Sequence, residues 1–106
     1  MLFRSGAEGL RRFVRHHVEL AREFEQWVAD DPAFELVVPR SLNLVCFRRY
    51  GPDADNQALL KRINDSGRLF LSHTVIRGRF CLRFSIGQTY TERRHVEQAW
   101  NLIRAA

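Results

Sequence analysis

Lysine is nearly missing from this chain: sixteen arginines stand against a single lysine, Lys61. Covalent amine chemistry needs a lysine in a desolvated pocket, and the only one present lies in the helical stretch LLKRI beside Arg62, where it should face solvent. Cysteine is scarce as well. Cys46 and Cys81 have no CxxC or CxxH neighbour, so the sequence offers no metal site and two small buried thiols are expected. The six glycines are scattered over turns and helix ends and build no phosphate-cradling loop. No apolar run approaches the roughly 18 residues of a membrane span. The opening MLFRSGAEGLRR has no apolar centre of the signal-peptide kind, which makes the cytoplasm the expected setting.

What is present fits one soluble domain, residues 1–106, with 45% apolar and 27% charged residues. The net charge of +5 would suit nucleic acid or an acidic partner. The arginines are interspersed with acids along the helices, however, and form no single run, which argues against nucleic acid.

The stretch RLFLSHTVIRGRFCLRFSIG, Arg68 to Gly87, organises the rest. It reads as two strands joined at Arg77-Gly78, with Gly78 supplying the positive φ of a short turn. Phe80, Leu82, Phe84 and Ile86 alternate with Cys81, Arg83 and Ser85, so the first set should be buried and the second should not.

Ahead of this hairpin, apolar residues from Leu10 to Val28 recur at three- and four-residue intervals and predict an amphipathic helix over 7–29. MLFRSG, before it, is too short for an element of its own. His17 falls at the edge of the apolar stripe beside His16, and neighbours on a helix point apart, so the two do not chelate. Asp30-Asp31-Pro32 stops the helix. Strands follow at Phe34–Val38 and Asn43–Arg49, the latter apolar on both faces and therefore expected between two antiparallel partners.

Asp53 or Asp55 is available to cap a second helix ending near Asp65, with Ala58, Leu59, Leu60 and Ile63 inward and Gly67 closing it. A last helix, capped by Thr91 or by a Thr89–Glu92 box, buries Val96, Ala99, Trp100 and Ile103. The order α-β-β-α-β-β-α predicts an α+β fold: a four-stranded, mainly antiparallel sheet with its helices on one face. The other face, carrying Arg83 and Cys81, is left to solvent or to something outside this chain.

No catalytic constellation survives this reading. His73 lies in a strand with no nucleophile and orienting group beside it, and His95, in the first turns of the last helix, fits a partly buried structural residue. A free-standing basic module for RNA or an acidic protein is one alternative, weakened because Phe80 and Phe84 should be buried and not offered for base stacking. A fragment that dimerises over its own bare sheet face is another.

Four blocks resemble one family in order and spacing: GAEGLRRFVRHHVELAREFEQWVADDPAFELV, LNLVCFRR, ALLKRINDSGRLFLSHTVIRGRFCLRFSIG and TYTERRHVEQAWNLI. Together they are similar to the C-terminal small domain of group II pyridoxal-phosphate-dependent amino-acid decarboxylases, the aromatic-L-amino-acid decarboxylase family. The resemblance implies a type I pyridoxal-phosphate fold whose large domain, absent here, holds the cofactor with a lysine, an aspartate and a histidine. Residues 1–6 would then be the remnant of the connection to that domain. It implies pyridoxal phosphate in the complete enzyme and none on this chain alone, the large domain and the second subunit of a homodimer as partners, and no catalytic or metal-binding residue here. Arg83, in CLRFSIG, matches an arginine that lies toward the large domain near the active site, and His73 on the neighbouring strand would share that boundary. The chain departs from the family at Asn43, where many members have glycine. It departs again at Gly87-Gln88-Thr89, where animal members have cysteine-serine-arginine; the resemblance implies that the main residues selecting the amino acid lie in the large domain.

Overall fold

The structure is a computed structural model that describes residues 2–87 and 92–106, the side chains of 2–7 excepted. Its elements are α1 (Leu2–Asp30), β1 (Phe34–Leu36), β2 (Leu44–Arg49), α2 (Asp53–Asp65), β3 (Ser72–Ile76), β4 (Arg79–Ser85) and α3 (Arg93–Ala105). The strands form one sheet in the order β1-β2-β4-β3, antiparallel at each pairing. The expected α+β architecture is therefore present, and β2 lies between two antiparallel partners as its double-sided apolarity required.

One core holds the domain together. Phe34, Val45, Phe47, Leu82, Phe84 and Ile86 of the sheet meet Leu20, Ala21, Phe24 and Val28 of α1, Leu59 and Ile63 of α2, and Val96, Trp100 and Ile103 of α3. All three helices thus cover the same face. Phe24 is its centre, edge-on to Phe84, Phe47 and Trp100 at ring separations of 5.0, 5.5 and 5.6 Å. Such T-shaped pairs add about 0.5–1.5 kcal/mol each beyond the area they bury.

α1 is longer than its apolar spacing implied, since the helix runs back through the opening residues. At 1.5 Å per residue its 29 residues reach about 44 Å, most of the 53 Å long axis of the molecule and well beyond its 28 and 22 Å cross-section. Leu20 to Val28 pack on the sheet, whereas Leu10, Phe13 and Val14 stay exposed. The helix stops as expected: the Asp31 carboxylate takes the Ala33 N–H at 2.9 Å ahead of the strand.

β1 is shorter than the expected Phe34–Val38, because only the Val37 N–H continues the pairing, to the Cys46 carbonyl, before Pro39. At α2 the backbone cap is Pro52, not Asp53 or Asp55. Asp53 is the first helical residue and spends its carboxylate on Arg48 and on the Phe80 N–H. Ala58 is exposed, and Asn56 takes the inward place. Gly67 follows the helix at φ +72°, as its sequence position indicated. α3 is capped by Glu92 and His95, each side chain meeting the other's backbone N–H. Thr89 and Thr91 lie outside the described residues.

Candidate functional site

The turn Arg77-Gly78, with φ of 53° and 76°, joins β3 and β4 through two residues, so Ile76 faces Arg79 and every later pair is fixed. Ser72 falls opposite Arg83, and His73 opposite Leu82. Paired residues share a face. Combined with the β2 register, Cys46 opposite Arg83, this places Ser72, Thr74 and Ile76 with Cys46, Arg48, Arg79, Cys81, Arg83 and Glu35 on the face that no helix covers.

Arg83 is exposed on this face. His73 is not its neighbour there. It lies on the helix-bearing side, stacked on Phe80 with ring centroids 5.0 Å apart and planes 17° from parallel. His73 and Arg83 therefore lie on opposite faces of the sheet. A two-residue turn pairs positions whose numbers sum to 155, which already sends Ser72, not His73, to Arg83.

The bare face is not uniformly open. Cys81 is fully buried on it, against the expectation from alternation, and Arg48 and Cys46 are nearly so. An ion pair explains part of this. Arg79 of β4 reaches Glu35 of β1, and β2 lies between those strands, so the pair passes over β2. Beneath it the Arg48 guanidinium donates to Asp53 at 2.8 Å and to the Phe80 carbonyl at 3.2 Å. Burial pushes both thiols above the ordinary cysteine value; for Cys46 the Arg83 charge pulls weakly the other way. Raised thiols are poor nucleophiles, consistent with inert fillers.

Charge accounting then isolates one group. Glu35 is matched by Arg79 and Arg48 by Asp53, whereas Arg83 has no ion-pair partner among the described residues. A guanidinium left in this way presents a rigid fork of donors suited to a carboxylate or phosphate supplied from outside.

The remaining titratable candidates are accounted for elsewhere. Lys61 faces solvent and donates to Asp65 at 2.7 Å, and that hydrogen bond raises its pKa. A protonated, solvated amine does not fit the aldehyde of pyridoxal phosphate, and it is the only lysine. His95 is exposed and engaged in the α3 cap. His17 is buried, its Nδ1–H donating to the Phe13 carbonyl at 2.7 Å. No group of three metal-ligating side chains occurs among the described residues, and no helix among them is long and apolar enough to cross a membrane.

Residue-type reasoning missed two asparagines that lock α2 to the sheet. Asn56 accepts the Arg49 N–H at 2.8 Å and returns a hydrogen bond to the Arg49 carbonyl at 2.9 Å. Asn64 does the same for Leu71 at 2.8 and 3.0 Å. Their eight-residue spacing on one helix was the available signal, since it repeats the same inward face.

Comparison with known proteins agrees with this geometry. Residues 1–50 match the pyridoxal-dependent decarboxylase conserved domain. The chain is 46% identical over 106 residues to tyrosine decarboxylase 2 of Arabidopsis thaliana, covering 93% of this chain and 19% of that protein. It is 46% identical over 99 residues to the aromatic-L-amino-acid decarboxylase of Sus scrofa, covering 93% and 20%. The crystal structure of Catharanthus roseus tryptophan decarboxylase in complex with L-tryptophan superposes with a TM-score of 0.86 at 39% identity, over 91% of this chain and 21% of that one. The chain thus spans about one fifth of the length of these relatives. By sequence and by fold, nearly the whole of this chain is therefore similar to one part of the pyridoxal-dependent decarboxylases.

Proposed function

We propose that this chain is the C-terminal small domain of a cytoplasmic amino-acid decarboxylase acting on aromatic L-amino acids, and that it works by seating its bare sheet face on a cofactor-bearing large domain. In this reading the decarboxylation is pyridoxal-phosphate chemistry done on the large domain. The small domain contributes shape and one charge, and supports the homodimer of the complete enzyme.

The observation that carries the reading is Arg83, a guanidinium without an acidic partner among the described residues, on a sheet face without helices. Its role is to hold a carboxylate of the large domain, or a loop beside the cofactor pocket, in place. The exposed apolar stripe Leu10, Phe13 and Val14 supports the same arrangement, because apolar residues held clear of their own core call for a covering surface. The first residues of α1 would carry the connection between the two bodies. Cytoplasmic residence suits the two free thiols.

A chimera tests the proposal: this chain replaces the matching segment of the Oryza sativa tryptophan decarboxylase, to which it is 44% identical. The chimera should decarboxylate tryptophan. Arg83→Ala should lower kcat/KM by about 10- to 100-fold, about 1.4–2.7 kcal/mol of lost positioning, with Arg83→Lys recovering only part. A well-folded chimera indifferent to Arg83→Ala would defeat the role given to this residue.

A further inference from the structure

We propose that the outer edge of β3 takes an additional strand from an extended acidic peptide of another protein, a binding site independent of the face on which Arg83 sits. The strand order leaves β1 and β3 at the edges of the sheet. β1 is three residues long, lies between Pro32 and Pro39, and has α1 packed beside it. Shortness, proline and a covering helix are the ordinary guards of an edge. β3 has none of them: Ser-His-Thr-Val-Ile contains no proline, aspartate, glutamate, lysine or arginine.

The turn geometry says which backbone groups are on offer. In a hairpin closed by two residues, Ile76 and Arg79 exchange the first pair of hydrogen bonds, and bonded pairs then alternate along the ladder. Residues 72, 74 and 76 therefore bond to β4, and the N–H and C=O of His73 and Val75 point away from the sheet. No described residue takes them. The next outward position, Leu71, is closed, since Asn64 engages both its N–H and its C=O. The edge is thus a frame of two donors and two acceptors with a defined start.

Side chains and charge select the occupant. Val75, 64% exposed, pairs with Phe80 beside the His73–Phe80 stack and offers an apolar patch for an aliphatic side chain of an incoming strand. From Ser66 to Thr91 there is no aspartate or glutamate, against four arginines. Only Arg79 among them has an acidic partner within the described residues; Arg68, Arg77 and Arg83 do not. Two copies edge to edge would bring like charge to like, whereas an acidic segment is complementary. RNA brings negative charge but no amide ladder.

The test is an NMR titration of the isotopically labelled chain with a blocked peptide alternating glutamate and valine, and with its lysine–valine counterpart. Shifts and amide protection should appear at Phe70–Ile76 for the acidic peptide alone. Val75→Pro deletes an outward N–H without touching the β3–β4 ladder, so it should weaken binding at least about tenfold while the Thr74–Cys81 cross-strand contact persists. Arg68→Glu with Arg77→Glu, two surface changes that leave the fold alone, should transfer the preference to the lysine peptide. Equal response to both peptides, or binding unchanged by Val75→Pro in an intact hairpin, would overturn the proposal. So would competition by a single-stranded oligonucleotide, or edge protection that rises with chain concentration and no peptide. Protection of His73 and Val75 in the decarboxylase chimera without peptide would assign the edge to an internal strand and overturn it too.

Discussion

Replacing Gly87 by alanine should cost this domain about 3 kcal/mol, and the sum can be built from two separable parts. Gly87 has φ +101°, and a Cβ added there would lie 2.5, 2.7 and 2.9 Å from the Cγ, Cδ2 and Cβ of His17. Those are inner atoms of a buried ring held by its hydrogen bond to the Phe13 carbonyl, so no flexible tip can swing aside. The positive φ costs an L-residue about 1 kcal/mol, and overpacking a filled site adds about 1–3 kcal/mol. For a domain of this size the total stability is about 5–15 kcal/mol, so the loss is substantial. With a urea m-value of about 2 kcal/mol/M, the midpoint should fall by about 1.5 M at unchanged m. Gly67→Ala is the internal control. Its φ is +72°, but nothing lies within 4 Å of the new Cβ, so it should lose only the backbone share of about 1 kcal/mol. In a His17→Ala background, which removes the Cγ and Cδ2 contacts but keeps the Cβ at 2.9 Å, Gly87→Ala should lose a large part of its overpacking cost. Equal costs for Gly87→Ala with and without His17 would refute the steric argument.

Asn56→Ala should destabilise by about 2–3 kcal/mol in the same assay, because it strands the Arg49 N–H and C=O at the buried junction of β2 and α2. Thiol alkylation should be slow at Cys46 and Cys81 in buffer and fast in urea, since burial both shields and raises them. The raised folded pKa fixes a sign: above about pH 8.5 the unfolded chain sheds thiol protons first, so the thiols' contribution to stability should decline as pH rises through that range. Urea midpoints across that range in the wild type and in Cys46→Ala/Cys81→Ala check it. Adding pyridoxal phosphate to the isolated chain should give no absorption band that depends on Lys61; a band abolished by Lys61→Ala would show the solvated amine to be more reactive than its Asp65 hydrogen bond allows.

Much of the fold was readable because period and punctuation agree. The alternation in RFCLRFS, the turn at Arg77-Gly78 and the three amphipathic stripes each name an element and its inward side, and the resemblance of four ordered blocks names the family. What escaped depends on contacts between elements. Alternation assigns Cys81 to the outer face but cannot know that Arg79 and Glu35 will close over β2. A helical stripe includes Ala58 by size and omits Asn56, although the buried N–H and C=O of Arg49 make the polar residue the better fit. Strand adjacency suggests that His73 accompanies Arg83, and only the register of the hairpin puts the two on opposite faces. Leu10, Phe13 and Val14 continue the apolar stripe of α1 past the end of the core, and a periodic pattern does not reveal where its partner surface stops.

The central claim is that the face bearing Arg83 is covered in the complete enzyme, and arginine-selective dicarbonyl labelling read by mass spectrometry tests it most directly. In the isolated chain Arg83 and the turn residue Arg77 should both be modified. In the chimeric decarboxylase Arg83 should be protected while Arg77 is still labelled. Equal labelling of Arg83 in the isolated chain and in an active chimera would mean that the face stays in water, and the account would be wrong.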